Sequence, residues 1–414
     1  GTRLPEDSSR YMAGNSNVFS YSATANLGTG DIVINRNTSI RINAPTNILT
    51  AQGQRVQIFG SLLGNLPRID IGVDAPITSY GLRSTSNGAL NLGLHDGFYT
   101  STIDQAKLGN GKWGLGAWDT TFYTAATMGA GADNVYRFLG SNAAALGITS
   151  SNALSGTASL WVGAPQHFNG FALANTSASI RLYGDQSYTG NTTIFRSDNT
   201  GNTNNFMEFM GDLKTPVIDV FGRLTARGDG RFTDDSGNQV NTVNLYQGST
   251  LRLDYNMDVN DSMLISRLDN SNLGLESDEN KWGDSTAMTL DGAALNLFNS
   301  SGRQNHERVG QITVKNGAEI FLERNGTNGQ IGLSTSGITR SGQATLHVRP
   351  NTDNELGIVD LQSQKFFIDN GGSLLDARGL FPVWMINARQ NTFLTYNNDL
   401  GVQNAAFTAT ATTL

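Results

Sequence analysis

The strongest constraint on this chain is a two-residue alternation that is interrupted every few residues. In Ile180 to Arg196 (IRLYGDQSYTGNTTIFR), Ile180 and Leu182 fall on one side of an extended backbone, Arg181 and Tyr183 on the other. Gly184 and Asp185 break the strand, Tyr188-Thr189-Gly190-Asn191 reads as a turn, and Thr192-Thr193-Ile194-Phe195 resumes the alternation. Strand, short turn and strand together describe about one rung of a β-solenoid.

The same pattern runs along most of the chain. Ile32 and Ile34, Ile40 and Ile42, Ile48, and Val56 and Ile58 alternate with polar residues between breaks at Asn35-Arg36-Asn37, Asn43-Ala44-Pro45 and Gly53. Apolar pairs return about every eight residues, so three short strands would make a coil of ~20–25 residues. Antiparallel hairpins give the same alternation, and periodicity alone does not separate the two. Later strands are expected at 217–220, 240–245, 251–253, 288–290, 295–297, 312–314, 320–322, 331–333 and 346–348, with Gly184, Gly222, Gly248, Gly292, Gly317 and Gly329 at breaks.

Composition agrees. Gly is 48 of 414 residues and Pro only 8, which suits frequent tight turns with φ > 0. Charged residues are 15%, below the ~25% of ordinary domains, and windows of helical period are few. The reading is all-β, a single elongated domain. A net charge of −7 leaves no basic stripe for phosphates, so a nucleic-acid partner is not expected. Neither a polybasic membrane patch nor an apolar run of about 18 residues is present. Cys is absent, so stability must come from packing and backbone ladders. Gly1-Thr2-Arg3-Leu4 is neither an initiator methionine nor a signal peptide and reads as the start of a processed or excerpted segment.

Residues 1–30 read as a leader, a cap or a partner-pairing segment, 31–405 as the solenoid, and 406–414 as a final strand or junction. Within the solenoid, GDQSYTGNTTI (184–194) resembles the autotransporter-associated β-strand repeat. MGAGADNVYRFLG (128–140) resembles the segment that often precedes it. WGDSTAMTLDGAALNL (282–297), HERVGQITVKNGAEIFL (306–322), GITRSGQATLHV (337–348) and FPVWMINARQNTFLTYNNDLGV (381–402) follow in the family's order. Taken over 176–402, the resemblance is to secreted bacterial autotransporter passengers. It implies a right-handed parallel β-helix displayed extracellularly, at the surface of a diderm bacterium. The β-barrel translocator typical of that family is not in this chain, so any link to the outer membrane would run through a region outside it.

Chemistry is sparse. His95, His167, His306 and His347 form no H-x-x-x-H pair, and no nucleophile elbow or P-loop occurs. His95-Asp96 reads as a turn. Asp229, Asp234 and Asp235 opposite Asp254, Asp258 and Asp261 could approach the two-carboxylate spacing of a glycoside hydrolase, although Asp among Gly, Asn and Ser commonly makes Asx-turns. Asp254, Asp258 and Asp261 are also the local cluster best suited to calcium, against a solvated acidic turn. No other cofactor is expected. Trp113, Trp118, Phe122 and Tyr123 are the densest aromatic patch, read either as coil packing or as a glycan-stacking platform. Phe407 to Leu414 alternates without a polar cap, which makes Phe407 and Leu414 candidates for strand-edge assembly. The expected function is a non-catalytic structural element that self-associates into a surface fibre, filament or matrix. A glycan- or surface-binding adhesin comes second and a polysaccharide lyase or hydrolase third.

Overall fold

A computed structural model describes six strands within 17–92, Asp74, and 97–406. It leaves out 118–119, 140–143, 166, 169–170, 173–177, 197–204, 229, 233–239, 241, 256–285, 300–303, 325–329 and 360–362. The fold is a parallel β-solenoid. Among the described residues helical structure is limited to short 3-10 turns, Gln105–Lys107, Ala132–Asn134 and Gly371–Leu374. No helix among them is long and apolar enough to cross a membrane. The chain forms two compact units, Gly1–Leu224 and Thr225–Leu414, although no shift in composition marks that boundary in the sequence.

In the first unit one parallel ladder runs through Asn17–Tyr21, Thr38–Ile42, Arg68–Ile71, Ala89–Leu92 and Gly114–Ala117. It continues through Val135–Phe138, Ser159–Val162, Thr192–Ile194 and Val217–Val220. A second ladder runs through Gly97–Tyr99, Thr121–Tyr123, Leu146–Ile148, Ser179–Leu182 and Phe206–Phe209. Among the described residues isolated parallel bridges, Asp104 with Gly129 and Gln186 with Leu213, mark the third side of the coil, and Ile32–Ile34 pairs in parallel with Val56–Ile58 in a separate sheet. Partners lie about 24 residues apart where no loop intervenes, as with Val135 opposite Ser159. Inserted loops lengthen the coil, as between Leu160 and Thr192.

Register turns the two-residue alternation into columns. Tyr99, Tyr123, Ile148, Leu182 and Phe209 are successive partners and all fully buried. The intervening residues Phe98, Phe122, Gly147, Arg181 and Glu208 form the outward row. Gly147 is required by its neighbours: a Cβ there would lie 2.7 Å from Phe122 Cδ1 and 2.9 Å from Tyr183 Cε2. The missing side chain lets rings from the coils on either side meet across it.

The second unit repeats the plan with longer strands. Thr242–Leu245 and Ala287–Asp291 lead into the middle of Gln304–Arg324, while Thr250–Asp254 and Ala294–Asn299 lead into its last third. Gln304–Arg324 pairs along its length with Gln330–Pro350, with one register shift between Lys315 and Gly317. Leu251, Leu295, Ile320 and Val348 form a fully buried column there. Gln364–Ile368 and Met385–Asn387 add parallel to Gln330–Pro350.

Buried polar side chains close the corners. Gln186 Oε1 accepts the Leu154 N–H at 2.9 Å, and its Nε2 donates to Ser150 O and Gly184 O. Gln105 serves the backbone N–H and C=O of Arg137 in the same way. Thr215 Oγ1 lies 2.8 Å from Gly190 O and 3.2 Å from Val217 O. Thr335 Oγ1 lies 2.6 Å from Gly310 O and 3.0 Å from Gly337 O. Each links one coil to its predecessor, and each satisfies carbonyls that would be costly to bury alone.

Leu182→Ala, which empties one position of a buried column, is expected to lower unfolding free energy by about 2–4 kcal/mol in urea titrations. Gly147→Val should also destabilise, by about 1–3 kcal/mol, through overpacking against Phe122 and Tyr183. A neutral effect of the latter would show that the rings do not close over that position.

Candidate binding and assembly surfaces

The aromatic patch divides between core and surface because the pleat sends neighbours to opposite faces. Trp113 and Tyr123 are fully buried. Of the two readings, coil packing fits both: their rings lie inside and offer no face to a sugar. Phe122 faces outward, half-buried. Trp118 lies outside the described residues. Phe98, Phe122 and Tyr183 form an aromatic row, with ring centroids 5.6 Å apart for the first pair and 6.0 Å for the second. In the same row Arg181 Nε lies 3.4 Å from the buried Glu208 Oε1.

Elsewhere on the outer faces aromatic rings are covered by guanidinium groups. Arg137 lies over Trp161 at 5.2 Å, and Trp161 meets Phe195 edge-on at 5.3 Å. In the second unit Arg252 lies 4.0 Å from the Phe298 centroid and Arg349 3.6 Å from that of Phe321. The same two arginines pair with Asp254 and Glu323, and with Glu319, respectively. Such cation–π contacts stabilise the ladder by about 0.5–1 kcal/mol each when exposed, and they close the covered ring face to a sugar.

The acidic cluster is also partly resolved. Asp254 is buried, with Arg252 Nε at 3.1 Å and Arg227 Nη2 at 3.8 Å from its Oδ2. Two guanidinium groups supply the positive charge that a calcium ion would bring. Asp258 and Asp261 lie outside the described residues, as do His95, Asp229, Asp234 and Asp235. Among the described residues no group of three or more His, Cys, Asp or Glu is arranged to hold a metal.

Two polar contacts were not legible in the sequence. Glu307 is fully buried and accepts a hydrogen bond from Tyr255 Oη at 2.7 Å. Outside it, His306 Nε2 lies 3.0 Å from Ser334 Oγ, one coil on. Ser334 is buried and its Oγ is also within 3.3 Å of Glu307 O. The His–Ser contact therefore belongs to the inter-coil ladder, and only strand register could have revealed either pair.

The assembly candidates Phe407 and Leu414 lie outside the described residues. Just before them the chain abandons parallel pairing. Thr392–Asn397 pairs antiparallel with Met385–Asn387 on one side and with Gly401–Asn404 on the other. Gly401 has φ +78°, and a Cβ on it would collide with the Phe366 carbonyl, so the hairpin lies against Gln364–Ile368. Neither a scan against family models nor searches of curated proteins and of solved structures found a match.

Two buried tyrosines mark the coil corners. Tyr123 Oη accepts the Ile103 N–H at 3.0 Å and donates to Thr127 O at 2.7 Å. Burial pushes its pKa up to about 12 from the ordinary 10.0, with the Ile103 bond opposing. Burial raises Tyr188 too, partly offset by its 2.7 Å contact with Thr192 Oγ1. A raised tyrosine pKa means the folded state keeps a proton that the unfolded state releases. Stability should therefore be complete below pH 10 and fall as pH rises toward 12. Alkaline unfolding followed by tyrosinate absorbance should show that decline, with a smaller slope in Tyr123→Phe. An identical slope in the variant would contradict the assignment.

Proposed function

We propose that the chain is a non-catalytic, extracellular building block of a bacterial surface fibre, filament or matrix, and that it acts by self-association. The observation that carries this reading is the registered stack. Columns such as Tyr99–Tyr123–Ile148–Leu182–Phe209 and Leu251–Leu295–Ile320–Val348 keep one inward side chain above the next from coil to coil. Load along such a stack is shared by many parallel backbone hydrogen bonds, without disulfides. The outer arginines spend their charge on carboxylates and rings of adjacent coils. That arrangement serves cohesion of the surface. Export and display outside the cell follow from the autotransporter resemblance of 176–402 and belong to the proposal.

Adhesion to glycans is the second reading, favoured by the outward Phe98–Phe122 row beside Arg181 and Glu208. Electron microscopy of purified chain, with sedimentation across a wide concentration range, separates the two. Ordered filaments or layers are expected, and Phe122→Ala should leave them intact. A strict monomer whose binding on glycan arrays disappears in Phe122→Ala would replace the structural reading with the adhesive one.

A further inference from the structure

A parallel solenoid has a chemical problem at its last coil, where one row of backbone N–H and C=O groups has no further coil to pair with. Among the described residues that edge belongs to Gln364–Ile368 and Met385–Asn387, the last of them to join in parallel. The antiparallel hairpin Thr392–Asn404 lies on it. The hairpin is well paired internally, through Leu394 with Asn404, Thr395 with Gln403, Tyr396 with Val402 and Asn397 with Gly401. Its backbone ladder to the coil is shorter, through Ile386 with Phe393 and Asn387 with Thr392.

Side chains do much of the rest. Tyr396 Oη donates to Ile368 O at 2.9 Å and accepts the Ile368 N–H at 3.3 Å. One phenol thus satisfies both backbone groups of a residue at the edge. Gln403 Nε2 donates to Gly357 O. Asn387, fully buried on the other edge strand, donates through Nδ2 to Asn404 Oδ1 at 2.7 Å. The Tyr396 ring is fixed edge-on against the buried Phe381, with centroids 6.0 Å apart.

We infer that this hairpin is a plug: it opens as a unit and exposes the Gln364–Ile368 and Met385–Asn387 edge to a strand from a second copy of this chain. The inference rests on the self-association reading above and adds where the junction forms and what holds it closed. The joint also buries Leu394 and Val402 completely and takes a backbone bond from the Phe381 N–H to Leu394 O. Yet with only two residues paired in its ladder to the coil it releases more readily than the continuous ladders within the coils. An incoming extended strand would satisfy by backbone pairing what Tyr396 satisfies by side chain at Ile368.

The test uses the full chain and the double variant Tyr396→Phe with Gln403→Ala, which keeps the ring on Phe381 and removes the two side-chain donors. Hydrogen exchange should show the amides of Thr392–Asn404 opening together, before those of Ile312–Val314. In the variant that opening should be faster, with an unchanged circular dichroism spectrum. Sedimentation should show the variant associating at about tenfold lower concentration than the parent. A peptide spanning 390–405, which carries the hairpin without the edge strand, should suppress that association by refilling the edge when added in excess. Three results would overturn the plug: hairpin amides as protected as Ile312–Val314, a variant whose hairpin opens faster without associating more readily, or association that ignores the peptide. Filaments formed equally by parent and variant would leave the structural function standing and remove the plug, so the two ideas fail separately.

Discussion

Everything in this structure depends on the parallel backbone ladder between successive coils. Each coil contributes short strands whose N–H and C=O groups are satisfied only when the next coil lies in register. Register, in turn, fixes which side chain stands above which. A slip of one residue would send Leu182 outward and Arg181 into the core, so the apolar alternation and the ladder enforce one another. No disulfide, helix bundle or metal cluster among the described residues shares that role.

The corners show how the constraint is met where strands end. Gln105, Gln186, Thr215 and Thr335 are buried side chains that take over hydrogen bonding for turn backbone. Where outward side chains of two coils must meet, the coil between them is trimmed. Gly147 separates Phe122 from Tyr183, and Gly332 with Ser334 separates His306 from Phe367, whose rings stand 5.9 Å apart. Small residues on one coil thus let its neighbours clasp across it. This links sequence to surface cohesion over three coils instead of two.

Much of the architecture was legible in the sequence because period-2 alternation reports burial directly. Ile180, Leu182 and Ile194 are buried as the pattern implied, and Tyr188 is a core residue of the turn. The family resemblance and the division into 1–30, 31–405 and 406–414 remain readings of the sequence. What escaped was anything decided by neighbours distant in the chain. Trp113 and Tyr123 could be read as coil packing or as a glycan platform because aromatic density says nothing about which face a residue takes. Glu307 and Tyr255 are a buried pair separated by a long stretch of chain, visible only once register brings their coils together. The antiparallel pairing of Thr392–Asn404 escaped as well, because residue patterning does not encode strand direction.

The register of the parallel coils is directly measurable because the chain has no native cysteine. Thr313 and Thr339 are ladder partners with hydroxyls 3.2 Å apart on the exposed side, and neighbouring strands stand at a Cα separation a disulfide can span. The double variant Thr313→Cys with Thr339→Cys should form an intramolecular disulfide under mild oxidation. Thr313→Cys with Ile338→Cys, shifted by one residue and therefore on opposite faces, should not. A disulfide in the shifted pair, or in neither, would contradict this register.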